Sequence, residues 1–218
     1  MNNLAMKKDV EVVVKEEKII YRFFKRLIDI IGALIGLILA SPILLVVGIL
    51  IKLESKGPIV FSQTRVGLNG KEFKMYKLRS MVVNAEELKR KLEAQNEMSG
   101  PMFKIKDDPR ITRIGKFIRK TSIDELAQLV NVLKGDMSLV GPRPSLPKEV
   151  EQFEEWMLER LEVKPGLTCY WQVMGRNNIE FNEWMKLDVK YVRERSLWLD
   201  IKLIFKTFFV LFGDKNAY

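Results

Sequence analysis

The sequence predicts an α+β fold, mainly helical, organised around one membrane-embedded helix. Three observations carry this. Ile30 to Ile51, IIGALIGLILASPILLVVGILI, runs 22 residues without a charge. Residues 58–79, PIVFSQTRVGLNGKEFKMYKLR, alternate as paired strands do around Asn69-Gly70. Further on, apolar residues such as Leu126, Leu129, Val130 and Leu133 recur at helical spacing.

Residues 1–20 form a polar N-terminal tail in which Val10 to Val14 has the makings of a short strand. The tail is not a signal peptide, because no cleavage site follows the apolar run. The run itself is long enough for a bilayer core of roughly 30 Å, and a soluble-core helix rarely stays apolar on every face for that length. Ser41-Pro42 interrupts it, and an interior proline removes a hydrogen bond and crowds the preceding turn. Two topologies follow. A kinked helix spans the membrane and leaves the tail outside, or the helix breaks at Ser41-Pro42, re-enters the same leaflet and returns both ends to one side. Arg22, Lys25 and Arg26 before the run and Lys52 and Lys56 after it give both ends positive flanks, and Asp29 suits an interface better than the membrane interior. Gly32 and Gly36 make a small-xxx-small pair that serves helix packing, a homodimer or the hairpin itself.

The strand pair at 58–79 turns at Asn69-Gly70 in type I′ geometry. Residues 84–97 read as a charged helix, and Thr112 to Lys120 as a short basic one. The next helix, from about Ser122 to Gly135, is followed by GDMSLVGPRPSLP, a loop stiffened by three prolines. Val150 to Val163 is amphipathic, and 165–178, PGLTCYWQVMGRNN, is irregular. The final stretch, SLWLDIKLIFKTFFVLF, suits a helix lying in a membrane interface or an ordinary core helix.

Composition narrows the chemistry. Of 218 residues, 37 are Lys or Arg and 28 Asp or Glu, a net +9 that prefers an anionic partner. There is no histidine and one cysteine, Cys169, so Ser-His-Asp and Cys-His catalysis, Cys/His zinc sites and an intrachain disulfide are excluded within this chain. Neither standard nucleotide-phosphate glycine loop is present. A metal here would be a hard ion such as Mg²⁺.

The stretch TSIDELAQLVNVLKGD, residues 121–136, concentrates the question. Ser122 to Glu125 fits a capping box, in which Ser122 is the N-cap and Glu125 reaches back to its N–H. The same helix start sits between Arg119 and Arg143, and a helix N-terminus with converging arginines is a phosphate site. Acids beside such a site hold Mg²⁺ or attack phosphorus, and the cations should lower the pKa of Asp124.

DELAQLVNVLKGDMSLVGPRP, preceded by the basic helix and by FSQTRVG and KMYKLRSM, resembles the bacterial sugar transferases, the monotopic phosphoglycosyl transferases. PGLTCYWQVMGRN and SLWLDIKLI are similar to the family's C-terminal pattern, and the resemblance runs from about Tyr21 to Tyr218. It implies transfer of a sugar-1-phosphate from a UDP-sugar to polyprenyl (undecaprenyl) phosphate with release of UMP, at the cytoplasmic face of the bacterial inner membrane and with Mg²⁺. Such a reaction initiates exopolysaccharide, capsule, O-antigen or glycan assembly. By resemblance Asp124 is the nucleophile of a covalent phosphosugar intermediate and holds the metal, and Glu125 completes the catalytic dyad. Arg119 and Arg143 match phosphate-binding positions, Arg176 matches one linked to nucleotide-sugar recognition, and Ser41-Pro42 matches the break of a re-entrant membrane helix. The implied organisation is a re-entrant helix at 21–54 and a cytoplasmic catalytic domain at 55–218 with C-terminal interfacial amphipathic helices, the hairpin packed on helices, in the minimal catalytic form of the family.

Two details depart from the commonest pattern. Thr-Cys-Tyr-Trp-Gln at 168–172 replaces Gly-Trp-Ala-Gln, and Ala127 stands where proline is frequent. The first lies in a region expected to touch the nucleotide sugar and leaves the sugar open; the expected donor is a hexose, glucose or galactose, with an acetamido sugar as the alternative. Cys169 reads as a small buried residue. The competing class is a membrane-anchored basic scaffold for anionic lipid or RNA, but nothing resembles an aromatic stacking platform, so no nucleic-acid partner is expected.

Overall fold

A computed structural model describes residues 19–92, 103, 105, 107–175 and 179–213. The expectations for the N-terminal tail up to residue 18, the end of the charged helix at 93–97 and Arg176 fall outside the described residues.

Helix α1 (Ile19–Glu54) is the organising element. Its helical assignment runs on through Ser41 and Pro42. Pro42 has no N–H to give the carbonyl of Ile38 four residues back. The Ser41 hydroxyl donates to that carbonyl instead, at 2.8 Å, so the helix continues. One face of α1 packs on the rest of the chain along its length, burying Asp29, Ala33, Ala40, Val47 and Ile51. The other face exposes apolar side chains from Phe23 through Leu34, Ile38, Leu45 and Ile49 to Leu53. The residues of the small-residue pair meet the chain's own domain: a Cβ on Gly32 would lie 2.6 Å from Leu139 Cδ1, and one on Gly36 3.0 Å from Leu129 Cδ1.

Both ends of α1 are tied to the same body. Lys25 Nζ donates to Val140 O (3.0 Å), Tyr191 Oη (3.2 Å) and Asp200 Oδ2 (2.9 Å). Arg26 donates to the carbonyls of Val132 and Leu133, and Asp29 accepts from Ser138 Oγ and Leu139 N. At the far end, Arg79 donates to Ser55 O (2.8 Å), and Glu54 accepts from the N–H groups of Arg113 and Ile114.

Strands β1 (Val60–Val66) and β2 (Glu72–Leu78) form the expected antiparallel hairpin, with Val60 opposite Leu78 and Val66 opposite Glu72. Asn69 and Gly70 have φ of 54° and 75°, and Lys71 N donates to Leu68 O, as a type I′ turn requires. Helices α2 (Ala85–Leu92) and α3 (Arg113–Lys120) follow. A 3₁₀ helix at Ile123–Gln128 then runs into α4 (Leu129–Lys134). The loop read after α4 contains β3 (Ser138–Val140), which pairs in parallel with β4 (Gly166–Thr168) inside the stretch read as irregular. Strands of three residues carry too little alternation to be seen locally. Between them lie α5 (Pro147–Val150) and a 3₁₀ helix at Glu155–Glu162. Helices α6 (Tyr170–Met174), α7 (Phe181–Glu194) and α8 (Leu197–Gly213) complete the chain. Helix α8 buries Asp200 and Leu203 and exposes Trp198, Phe205, Phe208 and Phe209.

Candidate active site

The acid pair stands where α3 turns into the 3₁₀ helix. Ser122, in the left-handed region at φ 55° and ψ 17°, makes that turn. This is an uncommon conformation for a residue with a Cβ, and strain of this kind gathers at functional sites. Ser122 makes no side-chain cap, and Glu125 does not reach back to it, so the capping box is not formed.

Glu125 is taken by cations instead. The 3₁₀ helix packs on β2, where Phe73, Met75 and Lys77 share a face. Lys77 Nζ donates to Glu125 Oε1 at 2.8 Å, and Arg143 Nη1 donates to the same oxygen at 2.9 Å. Burial opposes ionisation of Glu125, but Arg143 and then Lys77 outweigh it and hold the carboxyl well below the usual carboxylate range. The guanidinium of Arg143 also lies 5.9 Å from the ring centroid of Trp171, which stacks on Trp184 at 4.6 Å.

Asp124 behaves differently from its neighbour. Its side chain is buried, and no described residue donates a hydrogen bond to its carboxylate. Burial raises its pKa, Glu125 adds to that, and Lys77, Arg119 and Arg143 pull the other way. The net direction is upward, the opposite of the expectation from cations and dipole, because desolvation is the largest influence. The result is one carboxylate locked in ion pairs and a second facing the same cations with its oxygens uncommitted.

The structure thus brings together Asp124, Glu125, Arg119 and Arg143. Arg119 acts on Asp124 through charge and makes no hydrogen bond to it among the described residues. Ser41 and Pro42 belong to α1 and not to this site. The sequence reading missed Lys77. Its signal was register: it shares a strand face with Met75, which is in the core, and a lysine on such a face has to find an anion.

No group of three or more potential metal-ligating acids or cysteines exists among the described residues. Glu125 is committed to Lys77 and Arg143, which leaves Asp124 as the carboxylate the chain offers. That donor set cannot cage an ion unaided. It fits Mg²⁺ held by one carboxylate, waters and the phosphate oxygens of a substrate.

The cation-walled acid pair belongs to the same domain as α1, a helix long and apolar enough to cross a membrane and apolar along its outer face. The bacterial sugar transferase family matches residues 20–214, and the chain belongs to that family. It is 53% identical over 194 residues to the galactosyl transferase CpsE of Streptococcus agalactiae serotype III, covering 88% of this chain and 43% of that protein. It is 42% identical over 194 residues to the UDP-N-acetylgalactosamine-undecaprenyl-phosphate N-acetylgalactosaminephosphotransferase of Aeromonas hydrophila (86% and 43% covered). It is 35% identical over 199 residues to the exopolysaccharide production protein ExoY of Rhizobium meliloti, covering 89% of this chain and 88% of that one. The chain therefore spans less than half the length of the first two relatives and most of the third.

Proposed function

We propose that this chain transfers a sugar-1-phosphate from a UDP-hexose to polyprenyl phosphate through a covalent intermediate on Asp124. The observation that carries the reading is the asymmetry of the acid pair: Glu125 is bound by Lys77 and Arg143, while Asp124 faces the same cations without a hydrogen-bond partner among the described residues. An Asp124 oxygen attacks the sugar-bearing phosphorus, the bond from that phosphorus to the bridging oxygen breaks, and UMP leaves with the bridging oxygen. An oxygen of polyprenyl phosphate then attacks the same phosphorus and the Asp124 carboxylate is released, giving a polyprenyl diphosphate sugar. The carboxylate nucleophile divides one transfer between two unlike substrates into two steps.

The other residues neutralise charge. Arg143 and Arg119 face the diphosphate, and Lys77 stands against both the developing charge and Glu125. Their work is electrostatic, which is why the reaction needs no histidine. Glu125 keeps Lys77 and Arg143 aimed at the site. Asp124 would hold Mg²⁺, which would supply further charge neutralisation there.

Membrane association is supported by α1, which is long and apolar enough to enter a bilayer, and by the exposed aromatic residues of α8. That both ends of α1 bind the same domain supports a topology with both on one side of the membrane, which in this reading is the cytoplasmic face of the inner membrane. That brings the site to headgroup depth, where a polyprenyl phosphate lies. The hexose assignment draws on the 53% identity with a relative named as a galactosyl transferase.

The test is mass spectrometry of the intact protein with Mg²⁺ and a panel of UDP-sugars, without lipid acceptor. The expected result is a sugar-phosphate adduct on the peptide containing Asp124 and none on Asp124→Asn. An adduct surviving in that variant removes Asp124 as nucleophile, and an adduct from acetamido donors alone replaces the hexose.

A further inference from the structure

Arg160 is almost completely buried, at 2% exposure, and its partner Asp188 is fully buried. Neither touches the acid pair. Arg160 donates from Nε (3.0 Å) and Nη2 (2.7 Å) to Asp188 Oδ2. Nη2 also donates to the backbone carbonyl of Arg143 at 2.6 Å, and Nη1 to Ser145 Oγ at 2.5 Å. The guanidinium lies over the rings of Phe153 (5.5 Å) and Trp184 (5.9 Å). Burying two charges is a poor route to stability, and one use of such a pair is the arrangement it enforces.

The arrangement is the loop Pro142–Ser145. Its other holds come from the hairpin and β4. Val66 N donates to Ser145 O at 2.9 Å, Arg65 Nη1 to Pro144 O at 3.2 Å, and Gly166 N to Pro142 O at 2.9 Å. The carbonyl of Arg143 is held by Arg160, and the direction of that peptide decides where the Arg143 side chain can reach. It reaches Glu125.

Building on the transferase reading, we propose that Arg160, anchored by Asp188, is a positioning residue that aims Arg143 at the acid pair. It touches neither substrate nor acids and acts through the peptide it holds. A planar guanidinium is needed because one group must serve Asp188, Arg143 O and Ser145 Oγ at fixed angles, which an ammonium cannot do.

The test uses the full chain and Arg160→Lys, which keeps the charge beside Asp188 and loses the fork. Amide hydrogen exchange is followed on peptides covering 141–146 and α7. Exchange at 141–146 should rise about tenfold while α7 stays protected, because only the loop is released. The second readout is a cycle of Arg143→Lys, Arg160→Lys and the double variant, scored by donor-dependent UMP release. If Arg160 works through Arg143, each single variant loses about tenfold and the double loses no more than the worse single. Asp188→Asn, which preserves shape and an acceptor, should give the same pattern more weakly and serves if Arg160→Lys does not fold. Unchanged exchange at 141–146, exchange that rises equally in α7, or additive losses in the cycle each overturn the positioning role. Wild-type protein that releases no UMP from any donor overturns the transferase reading instead, and the exchange result still decides whether Arg160 holds the loop.

Discussion

Replacing Lys77 by Met removes one of two cations on Glu125 and the cation with the largest charge effect on Asp124. The side chain is 19% exposed and that of Glu125 23%, so the pair is partly screened by water. Arg143, 2.9 Å from Glu125 in the unsubstituted chain, remains as its partner. The stability loss is therefore about 1 kcal/mol, well short of the roughly 3–5 kcal/mol of stranding a fully buried charge. Catalysis should suffer more. A cation near 4 Å from a developing charge is worth about 4 kcal/mol at an effective dielectric of 20, and removing one preorganised electrostatic group costs about 10²–10³ in rate. Lys77→Met should thus melt close to wild type and release UMP about 10²–10³-fold more slowly, with Lys77→Arg retaining part of the rate. The assay is initial UMP release from the preferred UDP-sugar at saturating acceptor, beside a thermal melt. A rate within about threefold of wild type, in folded protein, would refute the placement of Lys77 against the reacting phosphate.

Other consequences follow from the same packing. Burial pushes the Asp188 carboxyl from 3.8 up to about 6 against the pull of Arg160, a displacement worth about 3 kcal/mol. A raised carboxyl pKa contributes stability below about pH 4 that is lost as pH rises through about 6, so denaturation of wild type and Asp188→Asn should show their stability difference changing across that window; a pH-independent difference rejects the assignment. Cys169 is fully buried, and burial with the nearby Asp188 charge raises its thiol pKa. It should ignore a thiol reagent until the protein is unfolded, and rapid native labelling would contradict that packing. A Cβ on Gly166 would lie 2.1 Å from Gly141 N, a backbone atom that can yield only if β3 and β4 part. Gly166→Ala should cost about 3 kcal/mol or more and disturb the Arg143 loop, and urea denaturation indistinguishable from wild type would contradict the strand approach.

Much of the framework was legible because it rests on short-range rules. The hairpin announces itself by alternation and by Asn69-Gly70, both of which take positive φ. The apolar helix is visible from its lack of charge. Its continuity was not, because Pro42 alone argues for interruption and the compensation comes from the neighbouring Ser41 hydroxyl choosing Ile38 O. The capping box was misread for a similar reason. The motif is correct in sequence, but Glu125 is claimed by Lys77 and Arg143, 48 and 18 residues away, and Ser122 turns left-handed. Alternation along β2 puts Lys77 on the face of Phe73 and Met75 and Lys74 on the other, but only the docked hairpin shows that the Lys77 face meets Glu125.

By itself the sequence narrowed the chemistry, since a chain without histidine and with one cysteine excludes a His-based triad and a Cys/His metal site within it. It also pointed to Asp124 and Glu125 as adjacent acids with Arg119 close before them in the chain. The tertiary structure decided how the two acids differ. Ionisation depends on burial and on cations delivered by β2 and by the Pro142–Ser145 loop, and neither is a property of the chain near residue 124. Desolvation leaves Asp124 with a raised pKa and uncommitted oxygens, while two converging cations hold Glu125 ionised beside it.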